Sequence, residues 1–252
     1  MMGQSLPGAL SARNRQPAKV LIVDDDPVVR VLLRELLGDA GHDVDEAEDA
    51  AAAEQHLQRG NWDLVLLDRR LPDCDGLLLL QSVKQRCHCP VIVLTVMNDE
   101  RDRMLGLGLG ADDYITKPFN ASEMTLRVRN LLKMTDAPVV PTGREPITLG
   151  PFTLLQPARR LELAGQVHHL TLAETRLLAV FLTRPDEALD RGLLTRLVCQ
   201  REWGHDDRSI DVLVSRLRKH VEANPKLPEW IVTLHGVGYL FDSRKSDCAG
   251  AA

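Results

Sequence analysis

The sequence predicts a doubly wound, five-stranded parallel α/β sheet followed by a smaller α+β domain. Three observations predict it. Between residues 18 and 134, strand candidates alternate with helical patterns, and runs such as VLIV and VIVLT are apolar throughout, as strands covered on both faces read. TDAPVVPTGREP (135–146) carries three prolines and a glycine without periodicity, so it reads as a linker. Beyond it the order changes to short strands first and helices after.

In the first domain the strand candidates are VLIV (20–23), a weaker one near His42–Glu46, DLVLL (63–67), VIVLT (91–95) and DYI (113–115). Helical patterns lie between them at 28–39, 49–58, 76–86, 99–109 and 121–133. Five βα units in a row imply a parallel sheet with helices on both faces, which binds ligands beyond the carboxyl ends of its strands. The second domain, 147–243, offers ITLG, FTLLQ, RLELAG and QVHHL, then helices near 173–183, 191–200 and 208–222, and a ribbon, IVTLHGVGYLF (231–241). Residues 1–17 read as a disordered extension and 244–252 as a disordered tail.

Composition excludes several classes. Hydrophobic residues make up 44% of the 252, which argues against global disorder. The longest apolar runs, such as LLLL at 77–80, are too short to span a bilayer, and MMGQSLPGALSARNRQPAK lacks the apolar core of a signal peptide. Five scattered cysteines point to a reducing cytoplasm rather than a disulfide framework. Cys87-His88-Cys89 looks like a metal fragment, but no second ligand pair follows it. The formal charge of −5 is uneven. Residues 18–134 carry 14 Lys/Arg against 21 Asp/Glu, whereas 147–243 carry 12 of each, so an acidic and a neutral domain have different tasks.

VLIVDDDP (20–27) places three carboxylates in a row at the end of a buried strand, where repulsion and lost solvation both cost free energy. Asp26 precedes Pro27 and an apolar helical pattern, so it reads as an N-cap, typically worth ~1 kcal/mol. Asp24 and Asp25 remain, joined by Asp68 from another strand end. Such a cluster of hard oxygen ligands suits Mg2+. Thr95 ends a third strand with a hydroxyl, and Lys117 in ITKPF follows the last. Taken singly, these are ordinary turn, cap and surface residues. At successive strand ends they make a phosphoryl site, with Asp68 as the nucleophile.

These stretches, with DLVLLDRRLPDCDG (63–76) and GADDYITKPF (110–119), resemble a response-regulator receiver domain (flavodoxin-like) over the whole first domain. The resemblance implies that Asp68 accepts a phosphoryl group from a sensor histidine kinase, and that the chain is a phosphoacceptor rather than an enzyme. It implies Mg2+ held near Asp24 and by Asp25, Asp68 and the Arg70 backbone carbonyl. Thr95 and Lys117 would bind phosphoryl oxygens, Tyr114 would turn inward when Thr95 moves, and the Lys117–Pro118 bond would be cis. DDDPV (24–28) also fits the haloacid-dehalogenase phosphatase pattern D-x-D-x-T/V, with Asp24 as nucleophile and Asp26 as acid/base. That family needs a further acidic motif after its Lys, and here Asp112 and Asp113 precede Lys117.

The pattern RSIDVLVSRLRKHVE (208–222) sets Ile210, Leu213, Val214, Leu217 and Val221 on one apolar stripe. Ser209, Val212, Arg216 and Lys219 lie opposite, flanked by Arg208, Ser215 and Arg218. Residues 208–220 hold four Lys/Arg and one Asp. This is either a solvated surface helix or one that enters a DNA major groove, with Arg216 on a guanine edge and Val212 on a thymine methyl. LGPFTLL, LTLAETRLLAVFL, DRGLLTRLVCQREW, RSIDVLVSRLRK and VTLHGVGYLF resemble the winged helix-turn-helix output domain of the OmpR/PhoB family. By that resemblance 208–222 is the recognition helix, the ribbon around Gly236 and Gly238 is the wing, and 191–200 with its loop to Asp207 meets RNA polymerase. His235 stands where an Arg is common at the wing, and Leu213 and Ser215 replace polar or basic types. Modest affinity per subunit and reliance on a homodimer at direct-repeat half-sites are therefore expected.

In this family the 99–109 helix, the fifth strand and the last receiver helix form the pairing surface. Arg103 with Glu123, and Asp113 with Arg127, fall where cross-subunit salt bridges form, while Gly108 leaves Arg129 without its usual acid. Asn120 with Glu123 reads as a capping box. The expected function is transcriptional regulation switched by phosphorylation. DNA binding independent of phosphorylation is the competing expectation.

Overall fold

The computed structural model describes residues 17–87, 89–96, 108–136, 145–200 and 207–244. The helix expected over 99–109, with Arg103, lies outside them apart from Gly108 and Leu109. The chain before residue 17, the linker core 137–144, the 201–206 loop and the tail from 245 also lie outside.

The first sheet contains β1 (Lys19–Val23), β2 (Asp43–Ala47), β3 (Leu64–Asp68), β4 (Val91–Thr95) and β5 (Asp113–Thr116). All pairings are parallel in the order β2-β1-β3-β4-β5. β3 and β4 are buried at every position, because helices cover both faces, while edge strand β2 alternates. The helices are α1 (Pro27–Asp39), α2 (Ala50–Arg59), α3 (Gly76–Arg86) and α4 (Ala121–Asp136). One face packs Ile22, Leu66, Ile92, Ile115 and Val128, and the other packs Leu21, Val65, Leu80, Val93 and Tyr114. The strand order reverses between β1 and β3, and the crevice at such a switch point is where open α/β sheets bind ligands.

Four of the domain's carboxylates sit at helix starts. Asp26 Oδ1 accepts from the Val28 amide at 2.8 Å, Asp49 from Ala52 at 2.7 Å and Asp75 from Leu77 at 2.9 Å. Asp73 adds two more bonds, from Ala50 and Ala51 at 3.0 Å each, which hold its carboxyl below the usual range. Carboxylates at these positions satisfy free amides and oppose the helix dipole. Asn120 caps α4 through the Ser122 amide at 2.8 Å, but the expected capping box is corrected: Glu123 reaches forward to Arg127 instead. A full capping box stands at Thr171 and Glu174.

The second domain opens with an antiparallel sheet, β6 (Ile147–Leu149), β7 (Phe152–Leu155), β8 (Arg160–Leu163) and β9 (Gln166–His169). Helices α5 (Leu172–Thr183), α6 (Arg191–Cys199) and α7 (Ser209–Val221) follow. The ribbon β11 (Ile231–Leu234) and β12 (Gly238–Phe241) turns at Gly236, whose φ is +74°, and gains a two-residue strand β10 (Leu189–Asp190). β10 was not expected, since two residues carry no periodicity. Phe152, Phe181, Trp230 and Phe241 join the β6–β9 sheet, α5 and the ribbon in one core. Arg244, expected in the tail, is instead tied to Asp242.

The β10–β12 approach requires glycine at 238, because a Cβ there would lie 2.0 Å from the Leu189 carbonyl oxygen. Gly238→Ala is expected to destabilise the second domain by about 1–3 kcal/mol or more, as overpacking typically does. The sheet of the first domain should be unaffected. Two-domain thermal unfolding followed by calorimetry checks this; an unchanged second transition would contradict it.

Candidate functional site

Register brings the site together. Val23 pairs with Leu67 and Asp68 with Leu94, so Asp24, one residue past β1, stands level with Asp68. Asp24 and Asp68 are 0% and 3% exposed, whereas Asp25 is exposed. One carboxylate oxygen from each of Asp24, Asp25 and Asp68 lies within 4.8 Å of the others. The Lys117 ammonium sits 2.6 Å from Asp24 Oδ2 and 2.6 Å from Asp68 Oδ2. The Lys117–Pro118 bond is cis. Lys117 N–H also donates to the Thr95 carbonyl at 2.6 Å, fixing the loop after β5 against the end of β4. Gly76 lets α3 begin against this edge, since a Cβ there would lie 2.1 Å from the Asp68 carbonyl oxygen.

One ammonium thus serves two buried carboxylates. Burial pushes the Asp24 carboxyl above its usual range despite Lys117, and the Asp68 charge adds to the rise. Burial also works against the Lys117 ammonium, but its bonds to Asp24 and Asp68 outweigh that and hold it above 10.5. Arg30, which the sequence reading missed, steadies the acidic loop by donating to the Asp24 carbonyl at 2.7 Å and the Asp25 carbonyl at 3.0 Å. Three carboxylates of hard oxygen character, incompletely neutralised and with Asp25 open to solvent, fit a divalent cation such as Mg2+.

Thr95 is buried at the carboxyl end of β4. The Arg70 amide donates to Asp68 Oδ1 at 3.3 Å, and the Arg70 and Asp75 backbones form an antiparallel β-bridge. Tyr114 corrects an expectation: the residue is only 8% exposed and packs on the α2–α3 face, so an outward-to-inward turn does not start from this conformation. On the expected pairing surface, Arg127 binds Asp113 at 2.7 Å and Glu123 at 2.7 Å within its own chain. Both acids expected to bridge to another subunit are therefore engaged internally here.

The α7 helix buries Ile210, Leu213, Val214, Leu217 and Val221, as the stripe requires. Its other face departs from expectation at several positions. Ser209 is buried and bonds Asp207 instead of facing outward. Arg218 is turned into the ribbon, donating to the Ile231 carbonyl at 3.1 Å and Thr233 Oγ1 at 2.8 Å and lying 5.9 Å from the centre of the Tyr239 ring. Arg216 is largely buried, paired with Glu174 at 2.8 Å and with Thr171 Oγ1 at 3.3 Å. Arg208, Ser215, Lys219 and His235 are exposed. Neither the T-L-A-E capping box at 171–174 nor its second use as an anchor for Arg216 was read from the sequence.

The two domains touch. Val212, on the outer face of α7, packs against the first domain's core cluster that includes Leu109, and Leu172 joins its other cluster with Met124 and Val128. A cleft of about 540 Å³ lies between Asp113, Glu123 and Arg127 on one side and Arg176, Arg196 and Gln200 on the other. Arg176 itself donates to the Leu197 and Val198 carbonyls at 3.0 and 3.1 Å, and burial lowers its guanidinium to about 10.

Comparison with known proteins agrees with this layout. Residues 20–129 match the response regulator receiver domain, and 165–241 match the C-terminal domain of transcriptional regulatory proteins. The chain is 42% identical over 239 residues to the transcriptional regulatory protein AruR of Pseudomonas aeruginosa, covering 91% of this chain and 98% of AruR. It is 36% identical over 237 residues to the aerobic respiration control protein ArcA of Escherichia coli K12, covering 90% and 97%. A solved structure of a RitR mutant superposes with a TM-score of 0.72 over 90% of this chain and 99% of that one, at 19% identity, a likeness of fold.

Because the folded Asp24 carboxyl is raised above 3.8, the cation-free protein loses stability as pH climbs from 3.8 through its folded value. Lys117, raised above 10.5, contributes stability below that value and loses it as pH rises through its own folded value. Asp24→Asn leaves Lys117 a single carboxylate partner and is expected to raise the melting temperature of chelator-treated protein at neutral pH. A lower melting temperature would contradict the charge balance described here.

Proposed function

This chain belongs to the OmpR/PhoB family of two-component response regulators, DNA-binding regulators of transcription whose partners are a histidine kinase and DNA; from that premise we propose that phosphorylation of Asp68 switches it on. The observation that carries the reading is the Lys117 ammonium held 2.6 Å from both Asp24 and Asp68 beside the exposed Asp25. Asp68 Oδ attacks the phosphorus of the kinase's phosphohistidine, the P–N bond breaks, and the imidazole leaves with a proton. Lys117 moves from carboxylate to phosphoryl oxygen, and the Thr95 hydroxyl donates to another. Asp24, Asp25, Asp68 and the Arg70 carbonyl would hold Mg2+, which supplies charge neutralisation for the transferring group. The chain is a phosphoacceptor, with at most slow self-dephosphorylation. A phosphatase using Asp24 and Asp26 is disfavoured because Asp26 is committed to the α1 cap.

Activation is a population shift. In the conformation described, Val212 is packed on the first domain and the acids of the pairing surface are held by Arg127. Moving Thr95 and Lys117 toward a phosphoryl group disturbs β4 and β5, and β5 with the last receiver helix carries that surface. The second domain is then released, two subunits pair, and two α7 helices reach tandem half-sites, with the wing at His235 and α6 toward RNA polymerase. Exposed ion pairs contribute only ~0–1 kcal/mol each, so Asp113, Glu123 and Arg127 set orientation more than strength.

Intact mass after incubation with a small phosphodonor tests the switch. A gain of one phosphoryl group that requires Mg2+ and is absent in Asp68→Asn is expected; no gain, or turnover to free phosphate, would refute it. Phosphorylated protein should bind tandem half-sites about 10²–10⁴-fold more tightly than unphosphorylated protein, the usual scale of avidity. Affinity unchanged by the phosphodonor would favour a regulator that binds DNA without phospho-control.

A further inference from the structure

Cys87 and Cys89 flank the junction between α3 and β4, and their sulfurs lie 3.2 Å apart. Cys87 ends α3 and is half-buried; Cys89 is 6% exposed. The Cys89 thiol donates to Cys87 Sγ, and that bond, against the opposing effect of burial and with help from the Lys84 ammonium, brings Cys87 down to about 7. Cys89 is pushed the other way, by its partner sulfur first and by burial second, so it keeps its proton. Cys74 provides a contrast, raised by burial and by Asp73 and Asp75 beside it. The pair is thus an accessible nucleophilic sulfur with a protonated one already seated against it, the arrangement of an attacking and a resolving thiol.

We infer that Cys87 and Cys89 form a reversible intrachain disulfide when the protein meets a peroxide, an oxidative modification site separate from Asp68. The Cys87 thiolate attacks the terminal peroxide oxygen, the O–O bond breaks, and Cys87 becomes a sulfenic acid as hydroxide leaves and takes a proton. The Cys89 sulfur then attacks the Cys87 sulfur, the S–O bond breaks, and water leaves with the Cys89 proton. Two thiols lose two electrons, and one peroxide becomes two waters. The sulfurs need close only from 3.2 Å to the ~2.05 Å of a disulfide. Cys89 itself is held from one side, since Lys84 Nζ donates to its carbonyl at 2.9 Å while paired with Asp112. Lys84 also faces Arg216 and Lys219 of α7 across a cleft of about 270 Å³, so the dithiol lies beside the contact between the domains.

The test treats reduced full-length protein with hydrogen peroxide, blocks remaining thiols with an alkylating agent, and maps them by peptide mass. Expected is the paired loss of alkylation at Cys87 and Cys89 within one chain, with a mass lower by roughly 2 Da for the two lost hydrogens, restored by dithiothreitol. The rate should rise as pH passes through about 7. Cys89→Ser, which removes the resolving sulfur, should instead accumulate a sulfenic acid at Cys87 that dimedone traps. Continued alkylation of both residues would overturn the inference, as would a disulfide joining two chains. Protection that a chelator reverses without a mass change would also overturn it, in favour of a bound metal.

Discussion

One ammonium between two buried carboxylates is the interaction on which the structure depends. Lys117 cannot satisfy Asp24 and Asp68 as fully as water would, so Asp24 is left with a raised carboxyl in a site 0% exposed. That deficit is useful. A site already neutral would gain little from a cation or from transferred charge, whereas under the proposed function one with carboxylates in excess would take the first and then lose its ammonium to the second. The sheet makes this possible by bringing Asp24 and Asp68 to the same level at the strand-order reversal.

The same small region is linked through β4 and β5 to the surface that meets the second domain. β4 ends at Thr95 and β5 begins at Asp113, and the Lys117 amide bonds the Thr95 carbonyl, so displacement of either residue is felt along both strands. Asp113 holds Arg127, whose other partner is Glu123, and all three line the cleft against the second domain. On the far side Arg216, the side chain best suited to a guanine edge, is paired with Glu174. Arg216 and the Asp113–Arg127–Glu123 group are thus engaged in this conformation, and under the proposed switch, freeing them costs contacts that phosphorylation would offset.

The fold was largely legible. Uninterrupted apolar runs marked the buried strands, and Asp before Pro27 marked the start of α1. β10 escaped because two residues have no period, and the 171–174 capping box escaped because the α5 pattern was read for its apolar residues alone. At the site, Asp24, Asp25, Asp68 and Lys117 were legible because each sits at a strand end, where position alone limits what the residue can reach. Arg30 was not, because its role is to bond backbone carbonyls on the preceding loop. The partners of Arg216 and Arg218 were hidden for a similar reason. Helical spacing tells which face a side chain occupies, but a long guanidinium stem can fold back to Glu174 or to β11 instead of reaching outward.

The most direct test of the central claim is a calorimetric titration of Mg2+ into the full chain, with and without beryllofluoride as an analogue of a bound phosphoryl group. If carboxylates in excess of one ammonium define the site, each ligand should tighten the other by the same factor, since coupling is reciprocal. Replacing Lys117 with Met should remove part of that coupling by taking away the charge that moves between them. Equal Mg2+ affinity in the presence and absence of the analogue would contradict the account.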